Sequence, residues 1–224
     1  MAQAITEEVP VPGGAVPVHV QGPETPSGSP ALVVVPSIFG PAPDLLDQMA
    51  TLSDASLTVV TDPFWRVGGG VVPYSDHDGA ITRLKGFDRE ACFDDMRAVV
   101  GWARERGNGR VAGLGICFGG PVVLTLAGEG LLDGVVTWHG SRMEAYLDRA
   151  SETRCPLRFH FGSADPVTPP DAIEKIRDAF AGHPDASFVV HEGLEHGFSH
   201  HGRAYDEAAA LAGLEDARDL LTAT

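Results

Sequence analysis

The chain has 224 residues, 43% of them hydrophobic, and carries 31 acidic against 16 basic side chains for a formal charge of −15. That length suits one domain with a sizeable core, and that charge argues against a nucleic-acid partner, whose phosphates call for basic patches. No apolar run approaches the roughly 20 residues of a membrane span, the first ten residues lack the basic and apolar regions of a signal peptide, and three cysteines are too few for a disulfide framework, so a cytoplasmic setting is expected.

Val16 to Val20 reads as a short first strand, followed by the turn-rich segment Thr25-Pro26-Ser27-Gly28-Ser29-Pro30. Ala31 to Val35 and Leu57 to Val60 are continuous apolar runs that suit strands buried on both faces. Between them a helix follows Pro41, with Asp44 and Asp47 placed as N-terminal helix charges. Residues 62 to 88 hold Phe64-Trp65-Arg66, Gly68-Gly69-Gly70, Pro73-Tyr74 and Asp76-His77-Asp78 without sustained period, which predicts an irregular loop bordering a pocket. From Phe87 to Arg106, Phe93, Met96, Val99, Val100 and Trp102 or Ala103 recur at helical spacing until Asn108-Gly109. A strand from Val111, a helix from Pro121 to Gly128, strands Gly134 to Trp138 and Leu157 to Phe161, a helix from Pro170 to Phe180, a strand at Phe188 to Val190 and a helix from Tyr205 to Thr222 complete the pattern. Strands alternating with helices predict an α/β class: a mostly parallel sheet with helices on both faces.

The segment Gly115-Ile116-Cys117-Phe118-Gly119-Gly120-Pro121 carries the chemistry. Glycines two residues to either side of Cys117 let a strand reverse into a helix without Cβ clashes, pushing the thiol to the tip of the turn. The helix N–H groups around the sulfur then favour thiolate. A merely buried cysteine in a glycine-rich turn would carry the same motif. What favours chemistry is the downstream pair: Asp165 in Phe161-Gly162-Ser163-Ala164-Asp165-Pro166 and His196 in Glu195-His196-Gly197-Phe198, each after an apolar strand-like run. Nucleophile, acid, base is the chain order of one large class of hydrolase triads, and open α/β sheets place their sites at strand ends. His139, which ends another strand, is read as lining the same pocket or as a hydrogen-bonded structural histidine. Phe39, Trp65, Tyr74, Trp138 and Phe198 are candidates for its walls.

No metal or other cofactor is expected. His191, His196, His200 and His201 with Glu192 and Glu195 superficially form a ligand cluster, but Gly193 and Gly197 interrupt any helix there and no H-E-x-x-H arrangement occurs. Cys92, on the helix beside Phe93, and Cys155, before Pro156, read as inert thiols.

Taken together, these segments resemble the dienelactone hydrolase family, cysteine-dependent members of the α/β-hydrolase superfamily, from Ala31 to about His201. The pieces that carry the resemblance are Ser37-Ile38-Phe39-Gly40, Thr61-Asp62-Pro63-Phe64-Trp65-Arg66, the Gly115 to Gly120 elbow, and the Asp165 and His196 segments. The resemblance implies a single α/β-hydrolase domain spanning 1–224. In it Cys117 is the nucleophile, His196 the base and Asp165 its orienting carboxylate. It also implies an oxyanion hole from the backbone N–H groups of Ile38 and Phe118, and a role for Arg66 in holding an anionic substrate group. Two positions depart from the family. Ser37 replaces a glutamate that helps generate the thiolate, and His200 stands where a second anion-binding arginine is found, with Arg203 three residues further on. Cys117 must then rely on His196 and the helix terminus for activation, and the family's anionic substrate does not carry over.

The expected activity is hydrolysis of a lactone or small carboxylic ester through a thioester acyl-enzyme. The substrate contacts are expected from Arg66, Ser37, Phe39, Trp65, His139, Phe198 and His200. A thioesterase or acyl transferase using the same triad, or a binding protein that keeps the fold without the chemistry, are the alternatives. The expected partner is a small ester or lactone, with neither nucleic acid nor membrane, and the chain acts as a monomer or homodimer.

Overall fold

The computed structural model describes residues 4–23 and 25–223. They fall into two compact units, Met1–Val111 and Ala112–Thr224.

In the first unit the strands β1 (Ile5–Val11), β2 (Gly14–Gln21), β3 (Ala31–Val35) and β4 (Leu57–Thr61) lie in the order β1-β2-β4-β3. β1 and β2 form an antiparallel hairpin whose turn uses Gly13 at φ 88°. β2 pairs antiparallel with β4, and β3 runs parallel to β4. Every residue of β3 and β4 is buried, as their unbroken apolar runs require when both faces are covered. Helix α1 (Pro43–Ala50) packs on β4 and β2, and the long helix of residues Arg89–Arg106, α3, packs on β3 and β1. α3 (Arg89–Arg106) starts where the Asp88 side chain accepts the Ala91 N–H, and it carries Arg104 and Arg106 in its last turn, opposite in sign to that end of the dipole. Its buried stripe is Phe93, Met96, Val99, Val100 and Ala103, joined by Cys92 and Asp95.

Two expectations need correction here. The strand at Val16 to Val20 is the second, because β1 precedes it; with Glu7, Glu8 and Pro10 in its length, β1 carries the marks of a blunted edge strand rather than an apolar run. Residues 62–88 also contain regular structure: 3₁₀ turns at Trp65–Val67 and Leu84–Gly86 and, between them, the helix α2 (His77–Arg83), capped by Asp76 accepting the Gly79 N–H. Seven residues with one buried side chain, Ala80, are too few to print a period on the sequence.

The second unit holds β5 (Val111–Ile116), β6 (Gly134–Trp138), β7 (Leu157–Gly162) and β8 (Ala186–His191), in chain order and all parallel. Helix α4 (Gly119–Gly128) is buried from Gly119 to Ala127 and apolar except for Thr125, whose hydroxyl donates to Pro121 O at 2.8 Å within the helix. It begins two residues before the expected Pro121, because the helix starts directly at the reversal after Cys117. The short α5 (Leu147–Ala150), α6 (Pro170–Ala179) and α7 (Glu207–Thr222) complete the unit. Gly213 lets α7 lie directly on the Trp138 indole, since a Cβ there would collide with Nε1 of the ring.

Strand register places the chemistry. Ile116 pairs with Trp138, Trp138 with His160, and Gly162 with His191, so the residues that follow these strand ends gather at one edge. Cys117 and His139 each come immediately after a strand, with Asp165 and His196 a few residues beyond theirs.

Candidate active site

Cys117 itself adopts φ 51°, a left-handed conformation that costs a non-glycine residue about 1–3 kcal/mol. Its backbone is fixed on both sides. Its N–H donates to Trp138 O at 3.0 Å, and its own carbonyl accepts from Gly120 N at 3.1 Å and Ser141 N at 3.0 Å. Gly115 and Gly120 are required by space. A Cβ on Gly115 would stand 2.6 Å from Val123 Cγ2, and one on Gly120 would stand 2.8 Å from Gly140 Cα. The elbow expected from the glycine pattern is therefore formed, and it leaves Cys117 8% exposed.

Asp165 and His196 lie in the loops after β7 and β8. Those loops are tied together by Ala164 N donating to Leu194 O and by Gly193 N donating to Ser163 Oγ at 2.8 Å. The Asp165 side chain is fully buried, and its two oxygens are divided. Oδ1 accepts the backbone N–H groups of Val167 at 2.7 Å and Thr168 at 3.1 Å, while Oδ2 accepts Nδ1 of His196 at 2.7 Å. This fixes the imidazole so that Nε2 is the nitrogen not held by Asp165. The thiol and one ring nitrogen each from His139 and His196 all lie within 4.8 Å of one another.

Electrostatics follow from this packing. Burial pushes the Cys117 thiol up, but the charge and hydrogen bond of His196, the Ser141 hydroxyl and the Phe118 backbone N–H outweigh it, and the thiol ends below its ordinary range. Burial pushes His196 down, but the Cys117 sulfur and the Asp165 carboxylate raise it to about 10. The two shifts describe one thiolate–imidazolium pair. Cys92 and Cys155, with no such neighbour, are pushed up by burial to about 12 and about 11.

Other residues of the second unit surround this centre. His139 is fully buried, with its ring edge 4.7 Å from His196, 4.9 Å from Phe198 and 5.1 Å from His200 between centroids. Its Nε2 bonds the Ser199 hydroxyl at 2.8 Å. Phe198 is fully buried between His139 and His191, and Trp138 lies in the core beneath α7. Arg203 pairs with Glu195 at 2.6 Å on the surface.

In the first unit, Ser37, Ile38 and Phe39 form a tight turn closed by Gly40 N donating to Ser37 O at 3.0 Å. Ser37 Oγ accepts the Phe39 N–H at 3.4 Å, and Phe39 packs edge-on against Tyr74, whose hydroxyl donates to Asp44. Arg66 grips Asp95 with two parallel bonds, Nε to Oδ2 at 2.9 Å and Nη2 to Oδ1 at 2.7 Å, and lies over the Trp65 ring. The Trp65 indole donates to the same carboxylate at 2.9 Å. Two participants escaped sequence reasoning. Arg83 donates to the Ile38 carbonyl and, at 2.9 Å, to Gly70 O, tying the Ser37 turn to the triglycine segment. Ser141 places its hydroxyl 3.9 Å from Sγ. Only the three-residue reach from His139 through Gly140 hints at Ser141 in the sequence.

Comparison with known proteins gives this geometry a context. The sequence model of the dienelactone hydrolase family matches residues 16–224. The chain belongs to the dienelactone hydrolase family. It is 30% identical over 179 residues to a carboxymethylenebutenolidase of Pseudomonas sp. (strain P51), covering 77% of this chain and 75% of that one. It is 27% identical over 178 residues to a carboxymethylenebutenolidase of Pseudomonas putida, covering 76% and 75%. Among solved structures, a Klebsiella pneumoniae protein provisionally assigned as a dienelactone hydrolase superposes with a TM-score of 0.84 at 21% identity over the full length of both chains. The fold is thus the α/β-hydrolase fold of this family, and the protein is a hydrolase of the lactone and ester type. Among the described residues no helix is long and apolar enough to cross a membrane.

Proposed function

We propose that the enzyme cleaves its ester or lactone through a Cys117–His196–Asp165 triad and a thioester acyl-enzyme. The thiolate of Cys117 attacks the carbonyl carbon, and the oxyanion that forms is met by the Phe118 N–H and, by family resemblance, the Ile38 N–H. His196 Nε2 gives its proton to the leaving alkoxide as the C–O bond breaks. It then takes a proton from water as that water attacks the thioester, and the thiolate leaves. Asp165 holds the ring in the tautomer that both steps require. The observation that supports this most is geometric: Asp165 Oδ2 holds His196 Nδ1 at 2.7 Å, and a ring nitrogen of His196 lies within 4.8 Å of the thiol at the tip of the elbow; the lowered thiol and the raised imidazole agree with it.

The substrate we infer is an activated acyl compound without a carboxylate handle. Position 37 offers a hydroxyl instead of a carboxylate, the Arg66 charge is matched by Asp95, and Arg203 by Glu195. A turnover panel of enol lactones with and without a carboxylate, p-nitrophenyl esters and acyl thioesters tests both parts. The expected pattern is turnover of neutral activated esters with no gain from the carboxylate. A preference of tenfold or more for the carboxylate-bearing lactone would reject the neutral substrate, and no turnover of any acyl compound would reject the mechanism.

A further inference from the structure

His139 raises a question that the triad leaves open. It follows β6 directly at φ 38°, so it too is a left-handed non-glycine residue, like Cys117, and its ring is fully buried. Nε2 is taken by Ser199, and Nδ1 has no hydrogen-bond partner. A buried ring nitrogen without a partner calls for an explanation. His196 matches it: Nδ1 is held by Asp165, and Nε2 lacks a partner of normal hydrogen-bond geometry. One ring nitrogen of each imidazole and the thiol all lie within 4.8 Å of one another, and His139 Nδ1 and His196 Nε2 are the nitrogens that Ser199 and Asp165 leave available.

We propose that Cys117 Sγ, His139 Nδ1 and His196 Nε2 form a binding site for a soft divalent cation such as Zn²⁺, which switches the hydrolase off reversibly. One thiolate and two imidazoles are a donor set that zinc accepts, with a fourth, open position for water. Zinc–ligand bonds of about 2.0–2.3 Å need donors roughly 3.3–3.6 Å apart, so the widest pair closes by about 1 Å, within the reach of side-chain rotation. Both imidazoles already have the outer support that metal-bound histidines use, Asp165 on one and the Ser199 hydroxyl on the other. Burial keeps His139 neutral and therefore able to ligate. On binding, the sulfur and both nitrogens donate lone pairs to the cation, the proton of the thiolate–imidazolium pair passes to solvent, and no electron is transferred. The sulfur lone pair that would attack a carbonyl is then engaged, and hydrolysis stops until a chelator removes the ion. Hard cations such as Mg²⁺ find no oxygen ligands here and should leave the rate unchanged.

The site needs the three donor atoms and does not require that Cys117 be acylated, so the two readings fail separately. The test is titration of the purified full chain, freed of chelators and added thiols, with Co²⁺ as a spectroscopic probe and with Zn²⁺ by competition against a chromophoric chelator. The expected result is one equivalent bound, with a thiolate-to-cobalt charge-transfer band, and loss of ester hydrolysis in Zn²⁺ that a chelator restores. Cys117→Ser should abolish the band, and His139→Gln should weaken Zn²⁺ binding at least tenfold. Should His139→Gln fail to fold, Ser199→Ala takes its place, with weakening of about tenfold expected. A Co²⁺ spectrum without the charge-transfer band, or Zn²⁺ affinity unchanged in the folded position-139 or position-199 variant, would overturn the proposal. Mass analysis of acylated Cys117 in metal-free enzyme reads the triad independently.

Discussion

Asp165→Asn is the substitution whose effect the geometry specifies most fully. Oδ1 accepts two backbone N–H groups, from Val167 and Thr168, and those donors remain in the variant. They hold the asparagine carbonyl oxygen on their side and turn its NH₂ toward His196 Nδ1, which stands 2.7 Å from the other carboxylate oxygen. A donor facing Nδ1 forces the imidazole to keep its proton on Nε2, the nitrogen that must accept one, so the ring can no longer relay a proton to or from the reacting acyl group. Loss of this orientation costs about 10³–10⁴-fold in kcat in a comparable triad, or ~4–5.5 kcal/mol of barrier. Fold stability should change by no more than about 2 kcal/mol, since both backbone bonds survive and one charge-assisted bond weakens. With the carboxylate gone the imidazolium is less favoured, so the Cys117 thiol should rise. The assay is stopped-flow hydrolysis of p-nitrophenyl acetate paired with iodoacetamide alkylation across pH. A kcat within tenfold of the parent, together with an unshifted alkylation profile, would refute the role given to Asp165.

Alkylation of the parent enzyme should modify Cys117 alone at neutral pH, with its apparent pKa below the roughly 8.5 of a free thiol, and peptide mapping that finds Cys92 or Cys155 labelled as fast would contradict this. The raised His196 pKa contributes stability that is complete below its unfolded value near 6.5 and is lost as pH rises through about 10. His196→Gln should therefore lose most stability relative to the parent at pH 6 and little at pH 10.5, and a difference in denaturant midpoints that stays constant across that range would count against the ion pair. Gly115→Ala should lower stability by about 1–3 kcal/mol, read as a fall in Tm of roughly 2–4 °C per kcal/mol, because its Cβ has no room against Val123. Arg66→Met should cost about 1–3 kcal/mol by leaving the buried Asp95 carboxylate with the Trp65 indole as its remaining named partner, and an unchanged urea midpoint would show that the pair is dispensable.

Much of this architecture was legible because local and global signals agree. The runs Ala31–Val35 and Gly134–Trp138 coincide with β3 and β6 end to end, since strands buried on both faces are apolar almost throughout, Thr137 being the one polar side chain in the two. The nucleophile elbow was legible from the glycines at 115 and 119, and for the first of them the reason is steric, since only glycine fits at 115. The order of Cys117, Asp165 and His196 along the chain announced which strand ends would meet. Less was legible where meaning depends on a distant partner. Arg66 looks from sequence like an exposed anion-binding side chain, and only the packing of α3 reveals Asp95 beneath it. Likewise His160 is a fully buried histidine whose partners, Asp216 and His191, come from α7 and β8, far along the chain. Arg83 escaped because α2 is too short to show a period, yet its guanidinium holds the Ile38 carbonyl. His139 was legible as a strand-end residue, but its left-handed backbone and uncommitted Nδ1 emerge only in three dimensions.

The central claim is that the sulfur of residue 117 carries the acyl group between alcohol and water. Rapid quench of the enzyme with excess p-nitrophenyl ester, followed by peptide mass analysis, addresses it directly. The account predicts an acyl mass increment on the peptide containing Cys117, formed within the first turnover, lost to water at the rate of kcat and absent in Cys117→Ala. Steady hydrolysis in the Cys117→Ala variant, or an acyl group found on any other side chain, would contradict it.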